Sequence, residues 1–170
     1  TWVEKDVRKT RMAMGLILTL PRIPQVYYGT EILMENSANR GDHGLIRTDF
    51  PGGWPADEVN AFQQEGLTTD QLNFQNYLKK LLNYRKNSIA LDYGKTLHFA
   101  PFDGIYPLFR YEGDETVAVM LNKNDDPKTI DTERFEELEL GGYQLRNVIT
   151  DETLTWDKNL DIKPGVTILT

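Results

Sequence analysis

The stretch that most constrains this chain is Ile23–Glu35, which reads Ile-Pro-Gln-Val-Tyr-Tyr-Gly-Thr-Glu-Ile-Leu-Met-Glu. Its front half, Ile23–Tyr28, is a short, largely apolar run closed by Gly29 and the acidic Glu31. Runs of β-formers without polar alternation, ended by a turn residue, belong to strands buried on both faces, as in parallel sheets. The spacing predicts a buried strand over Ile23–Tyr28 that opens into a long polar loop. That loop carries Asn39, Arg40, Asp42, His43, Arg47, Asp49, Phe50 and Trp54 within sixteen residues. Charge and aromatics packed so densely at the C-terminal end of a core strand are where binding sites are built.

These residues also carry a resemblance. Tyr27-Tyr28-Gly29-Thr30-Glu31-Ile32, preceded by Leu20-Pro21 and Pro24, resembles the eighth barrel strand of the α-amylase family of glycoside hydrolases. The run Arg47-Thr48-Asp49-Phe50-Pro51-Gly52-Gly53-Trp54 is similar to the neopullulanase and cyclomaltodextrinase branch, especially the starch-utilising enzymes of gut bacteria. The resemblance extends over the whole chain and implies the C-terminal end of such an enzyme. The implied fold class is α+β: the end of a (β/α)8 barrel (helix, last strand, last helix) followed by an antiparallel β-sandwich. A coil or a helix over Ile23–Tyr28 would undo the barrel-strand reading.

Composition narrows the partners. The chain has 170 residues, enough for one or two small domains with a real core. Its apolar fraction of 39% lies somewhat below the globular average, but an aromatic share of 11% argues against disorder. A net charge of −7 disfavours nucleic acid and anionic membrane and suits neutral ligands. With no cysteine there is no disulfide or thiolate site. The longest apolar run, Met12–Leu20, is too short to span a bilayer.

In chain order, Thr1–Leu18 reads as a helix whose second half is apolar almost all round and which Pro21 and Pro24 stop. In βα units such a helix follows a strand, so the partner strand is expected upstream of Thr1. A short helical patch is expected at Ala56–Gln64, begun by Pro55. Thr68 and Gln71 form a capping-box pair that opens a helix over Thr69–Lys86, with Leu72, Phe74, Tyr77, Leu78, Leu81 and Leu82 at helical spacing. After Leu91 short β-rich runs alternate with turns such as Asp103-Gly104, Gly141-Gly142 and Pro164-Gly165. Seven strands are expected: Lys95–Ala100, Tyr106–Glu112, Thr116–Asn122, Lys128–Asp131, Tyr143–Asn147, Leu154–Trp156 and Gly165–Leu169. That spacing argues an antiparallel sandwich or barrel. The domain division is placed at 1–88, the end of the catalytic barrel, and 89–170, the all-β domain.

Glycoside hydrolysis ordinarily uses two carboxyl groups about 5–9 Å apart. The resemblance implies that nucleophile, acid/base and third carboxylate lie on the fourth, fifth and seventh barrel strands, all upstream. No segment here matches those motifs, and neither His43 nor His98 sits in an Asn-His-Asp triplet. The expectation is therefore no catalytic residue in this chain and no sugar cleavage by it alone. The resemblance does imply substrate contacts: an Asp and an Arg in the loop after the eighth strand that hydrogen-bond glucose hydroxyls, matched here by Asp42 and Arg47. Carboxylate and guanidinium suit vicinal diols because each offers paired partners in fixed geometry. They stand five apart where many relatives show four. The plainer reading of the same two residues is a surface ion pair.

Tyr28 and Trp54 complete the candidate substrate-binding set. Of Tyr27 and Tyr28, at least one is expected to be buried as barrel core. Phe50 and Trp54, flanked by Pro51, Gly52 and Gly53, are expected to pin the loop more than to stack on sugar. Glu31 is expected to fix loop backbone. The acidic pair Asp125-Asp126 and the run Glu133–Glu139 read as solvated charge, because ligand spacing for calcium is absent. No cofactor or metal is expected, calcium being a matter for the full-length parent. The implied partner is an α-glucan oligosaccharide bound through the full-length enzyme. An exposed barrel edge further implies either a homo-oligomer or a repacked first third around Thr1–Trp54, and resemblance to periplasmic starch enzymes implies an exported parent. Two other readings stand beside this one: a free-standing carbohydrate-binding sandwich using Trp156, Tyr143 or Tyr106, and a structural β-sandwich module.

Overall fold

The computed structural model describes residues 5–35 and 47–170. Helix α1 (Val7–Thr19) opens it. The Asp6 carboxylate accepts the Lys9 N–H at 3.1 Å, an N-cap that answers one of the helix's unpaired donors. Helix α2 (Thr69–Asn87) begins at the expected capping box: Thr68 N–H donates to Gln71 Oε1 at 3.0 Å and Gln71 N–H to Thr68 Oγ1 at 3.3 Å. Its apolar stripe is buried at Phe74, Tyr77, Leu78 and Leu81, while Leu82 stays exposed. A short helix α3 (Ile89–Asp92) follows, with the Ser88 hydroxyl accepting from Leu91 N–H.

Eight strands come next: β1 (Lys95–His98), β2 (Ile105–Glu112), β3 (Glu115–Asn122), β4 (Lys128–Asp131), β5 (Gln144–Arg146), β6 (Thr153–Thr155), β7 (Asn159–Ile162) and β8 (Gly165–Leu169). Every pairing is antiparallel, in a four-stranded sheet of order β1-β2-β3-β8 and two ribbons, β4-β7 and β5-β6. The strand β7 was not among those expected. Its four residues, Asn-Leu-Asp-Ile, look like turn sequence until β4 supplies a partner across which Ile130 faces Leu160.

The chain forms two compact units, one from the described residues of 1–10 and 25–79, the other from 11–24 and 80–170. In the second, alternation along β2 and β3 sends Ile105, Phe109, Ala118 and Met120 to one face, where they join Ile130, Phe135, Leu145, Trp156, Leu160, Ile162 and Leu169. The rings interlock: Phe135 lies 4.8 Å from Phe99, 5.2 Å from Phe109 and 6.1 Å from Trp156. The opposite face of β2 and β3 packs against α3. There Arg110 is fully buried without a carboxylate partner, donating to the carbonyls of Thr19 (3.2 Å), Gly94 (2.7 Å) and Lys95 (3.3 Å). Arg85 adds Leu18 O at 2.6 Å and Arg22 O at 2.7 Å. Two guanidinium groups thus satisfy the last carbonyls of α1 and those just beyond it, which a helix leaves without internal donors.

Three expectations fail. Ile23–Tyr28 forms no strand: these residues are coil running into a turn, without a ladder. A strand draws its backbone hydrogen bonds from a neighbour, and among the described residues none lies alongside. The expected burial of Tyr27 or Tyr28 fails with it, since the residues are 61% and 42% exposed and, among the described residues, their rings meet only each other, tilted at 4.8 Å. The patch Ala56–Gln64 is not helical either. Asn60 and Glu65 exchange N–H···O bonds of 2.9 Å in an isolated bridge, because the Asn60 carboxamide accepts from Phe62 and Gln63 N–H and turns the backbone away from helix.

Candidate functional site

The candidate residues lie in the first unit. Tyr28 ends the extended segment and meets Gly29, whose φ of 81° suits a residue without a side chain. A Cβ there would come within 2.6 Å of Met34 Sδ and 2.9 Å of its Cβ. The turn continues as a single 3₁₀ helix, Thr30–Ile32, that buries Ile32 and Leu33. Tyr28 Oη donates to Thr48 O at 3.1 Å, which joins this turn to the segment that starts with Arg47.

Arg47 is exposed and no described carboxylate pairs with it. Asp42 and His43 lie outside the described residues. Trp54 is 64% exposed, and its ring makes no aromatic contact among the described residues. Phe50 does pin the loop, its ring 5.0 Å from that of Phe62. For Trp54 only the backbone is held. Its N–H donates to Asp57 Oδ2 at 3.1 Å, the same oxygen that accepts Gly52 N–H at 2.7 Å.

Asp57 and Asn60 are the residues that sequence reasoning missed. The carboxylate of Asp57 closes the Pro51–Asp57 turn, and the carboxamide of Asn60 closes the next. The loop is then tied to α2: Ala61 N–H donates to Pro51 O at 3.1 Å, and Gln75 Nε2 donates to Ala61 O at 2.9 Å. An Asp two residues after a proline in a glycine-rich turn was the available signal, because Asp and Asn bond to nearby backbone in such turns.

The Oε2 of Glu31 is shielded from solvent and makes no hydrogen bond; the loop backbone it is expected to fix lies in part outside the described residues. A carboxylate oxygen in that state is costly unless a donor reaches it. Among the described residues no group of His, Asp and Glu could hold a metal ion, and no helix is long and apolar enough to cross a membrane.

Comparison with known proteins adds what geometry does not. Residues 96–170 match the cyclo-malto-dextrinase C-terminal domain family. A cyclomaltodextrin glucanotransferase of Geobacillus stearothermophilus is 26% identical over 167 residues, covering 94% of this chain and 21% of that protein. Among solved structures, an α-amylase from Geobacillus thermoleovorans, complexed with acarbose, matches with a TM-score of 0.66 at 22% identity, covering 96% of this chain and 33% of that one. AmyP in complex with maltose matches with a TM-score of 0.70 at 16% identity, covering 96% and 34%. The chain therefore spans about a fifth of the length of the curated relatives it matches and about a third of the solved chains. The antiparallel sheets lie in the part of the chain that matches the C-terminal domain family.

Proposed function

We propose that this chain is part of a neopullulanase- or cyclomaltodextrinase-like glycoside hydrolase that cleaves α-glucosidic bonds in starch-type glucans. In this reading the chain supplies pocket residues and a stabilising sandwich but not the catalytic carboxylates. The observation that carries it is the fold likeness over 96% of the chain to only a third of an α-amylase. AmyP was solved with maltose, and a cyclic α-maltosyl-(1→6)-maltose hydrolase of Arthrobacter globiformis was solved with that cyclic sugar; both support an α-glucan oligosaccharide as substrate class here.

Within this reading, 1–88 ends a catalytic barrel and 89–170 packs on it. Ile23–Tyr28 takes up strand pairing only when neighbouring strands are supplied. The exposed tyrosines support that, as they are a surface in want of a partner. Until covered, the same face favours self-association. Asp42 and Arg47 hydrogen-bond glucose hydroxyls, and Tyr28 and Trp54 contact the same substrate. Arg47 is exposed and has no carboxylate partner among the described residues, which supports its part.

The purified chain is expected to release no reducing sugar from maltoheptaose or starch; turnover above the blank overturns the reading. In the full-length enzyme, Arg47→Ala is expected to lower kcat/KM by about ten- to a hundredfold, the loss of a bidentate, charge-assisted contact. One observation favours a free-standing carbohydrate-binding sandwich instead: Tyr93 and Tyr143 are 81% and 62% exposed. Tight, saturable maltoheptaose binding that is lost in Tyr143→Ala would favour that second reading.

A further inference from the structure

We infer that Arg85 is a positioning residue: it fixes the backbone at Arg22 and so sets the register in which Ile23–Tyr28 joins a sheet, deciding that Tyr28 rather than Tyr27 meets the substrate. The inference deepens the α-glucan reading above and rests on it. The need for such a device lies in the residue order. Ile23–Tyr28 has no polar alternation to sort its faces, and its last two residues are both tyrosine. Slipping a strand by one residue turns every side chain to the other face. Here that slip exchanges one tyrosine for another, so the side-chain pattern hardly opposes it.

The register must then be held from outside the run. Arg85, on α2, donates through Nη1 to Leu18 O at 2.6 Å and Leu20 O at 3.3 Å, and through Nη2 to Arg22 O at 2.7 Å. Arg110, on β2, takes Thr19 O at 3.2 Å. Arg22 stands directly before the run at a φ of 89°. A residue with a Cβ keeps that conformation only where its surroundings impose it. The Arg22 side chain is exposed, whereas its carbonyl is gripped by Arg85 from 63 residues further along the chain. Pro24 then biases Ile23 towards extended backbone, so the course set at Arg22 passes into the run with little slack. Arg85 thus acts on the tyrosines through the backbone, without touching a ligand.

Two double-mutant cycles test it. In the 170-residue chain, Arg22→Gly is expected to raise the urea midpoint by about 0.3–0.5 M, because glycine takes that φ freely. In the Arg85→Met background, which releases the carbonyl, the same change is expected to bring no rise. An equal rise in both backgrounds shows that Arg85 does not impose the conformation and overturns the inference. Where Arg85→Met leaves too little folded chain, Arg85→Lys takes its place, since one ammonium cannot span the three carbonyls. In the full-length enzyme acting on maltoheptaose, Arg85→Met and Tyr28→Ala are each expected to lower kcat/KM about tenfold, and the double variant about tenfold as well, the tyrosine contact being already lost. Losses that multiply to about a hundredfold mark Arg85 as merely structural and overturn its register role, leaving the α-glucan reading in place. A full-length wild type without turnover of α-glucans overturns that reading and the register role with it, while the first cycle still decides whether Arg85 holds Arg22.

Discussion

Changing Glu115 to Gln should loosen the junction between the end of α2, α3 and β3 by a magnitude that the hydrogen bonds set. Three donors converge on its carboxylate. Tyr84 Oη and Ser88 Oγ reach Oε1 at 2.8 and 2.7 Å, and Ala90 N–H reaches Oε2 at 3.0 Å. A carboxylate accepts on both oxygens; an amide accepts on one and presents N–H groups from the other position. Whichever way the glutamine turns, one set of donors meets a donor. If Ala90 N–H loses its acceptor, a backbone group of a fully buried residue is left unpaired, at about 1–3 kcal/mol. The bonds that survive fall from charge-assisted to neutral, roughly 1 kcal/mol weaker. Because Glu115 is only half-buried, water recovers part of this. The expected loss is about 2–3 kcal/mol at pH 7.

Urea unfolding followed by the fluorescence of buried Trp156 measures it. With m of about 1–3 kcal/mol per molar, the midpoint should fall by about 1–2 M. The pH dependence is a second readout. Burial alone would raise the Glu115 pKa, but the Ala90 N–H, Ser88 and Tyr84 bonds outweigh it and hold the carboxyl below its usual 4.5. A group depressed in the folded state stabilises above its unfolded pKa and loses that stabilisation as pH falls through the folded value. The difference between wild type and Glu115→Gln should therefore be full at pH 7 and shrink as pH drops below 4.5. A loss under about 0.5 kcal/mol at pH 7, or a gap that persists unchanged in acid, would refute the reasoning.

Arg110→Met should cost about 2–4 kcal/mol, because it leaves the buried Thr19 carbonyl and those of Gly94 and Lys95 without a donor; Arg110→Lys should recover only part, as one ammonium cannot span the fork. Equal stability of Arg110→Met and wild type in urea would show that water serves those carbonyls as well. Burial, with the Glu115 carboxylate adding to it, pushes the Tyr84 hydroxyl up to about 12, so the unfolded chain ionises first; stability is full below pH 10 and falls as pH rises towards 12. Tyr84→Phe should remove that alkaline slope, which a pH series of urea midpoints would detect. Gly94→Ala should leave little folded protein by circular dichroism, since its Cβ would fall 2.2 Å from Ala90 O and 2.8 Å from Tyr111 O, both backbone atoms that cannot swing aside.

What the residue order fixed by itself is local. The Thr68/Gln71 capping box starts α2 where the pairing of side chain and backbone requires, because both partners sit within one turn. The alternation Ile105/Phe109 against Leu108/Arg110 sorts β2 into its two faces before any fold is chosen, because the side-chain period of a strand is two. Seven β-rich runs found ladders close to the expected limits, and Lys128–Asp131 and Gly165–Leu169 found them at those limits. Only the tertiary structure decided the rest. Ile23–Tyr28 has the composition of a strand but, among the described residues, no neighbour to give it hydrogen bonds, whereas Asn159–Ile162, too short to read as a strand alone, becomes one because Lys128–Asp131 lies beside it. Arg110 finds its acceptor Thr19 O only through α1, 91 residues away in sequence. Phe62 and Asp57 gained their places only when the loop closed on α2. The reason is the same in each case: a cap or a face is completed by near neighbours, but a ladder, a buried charge or a held loop needs a partner that proximity in sequence cannot name.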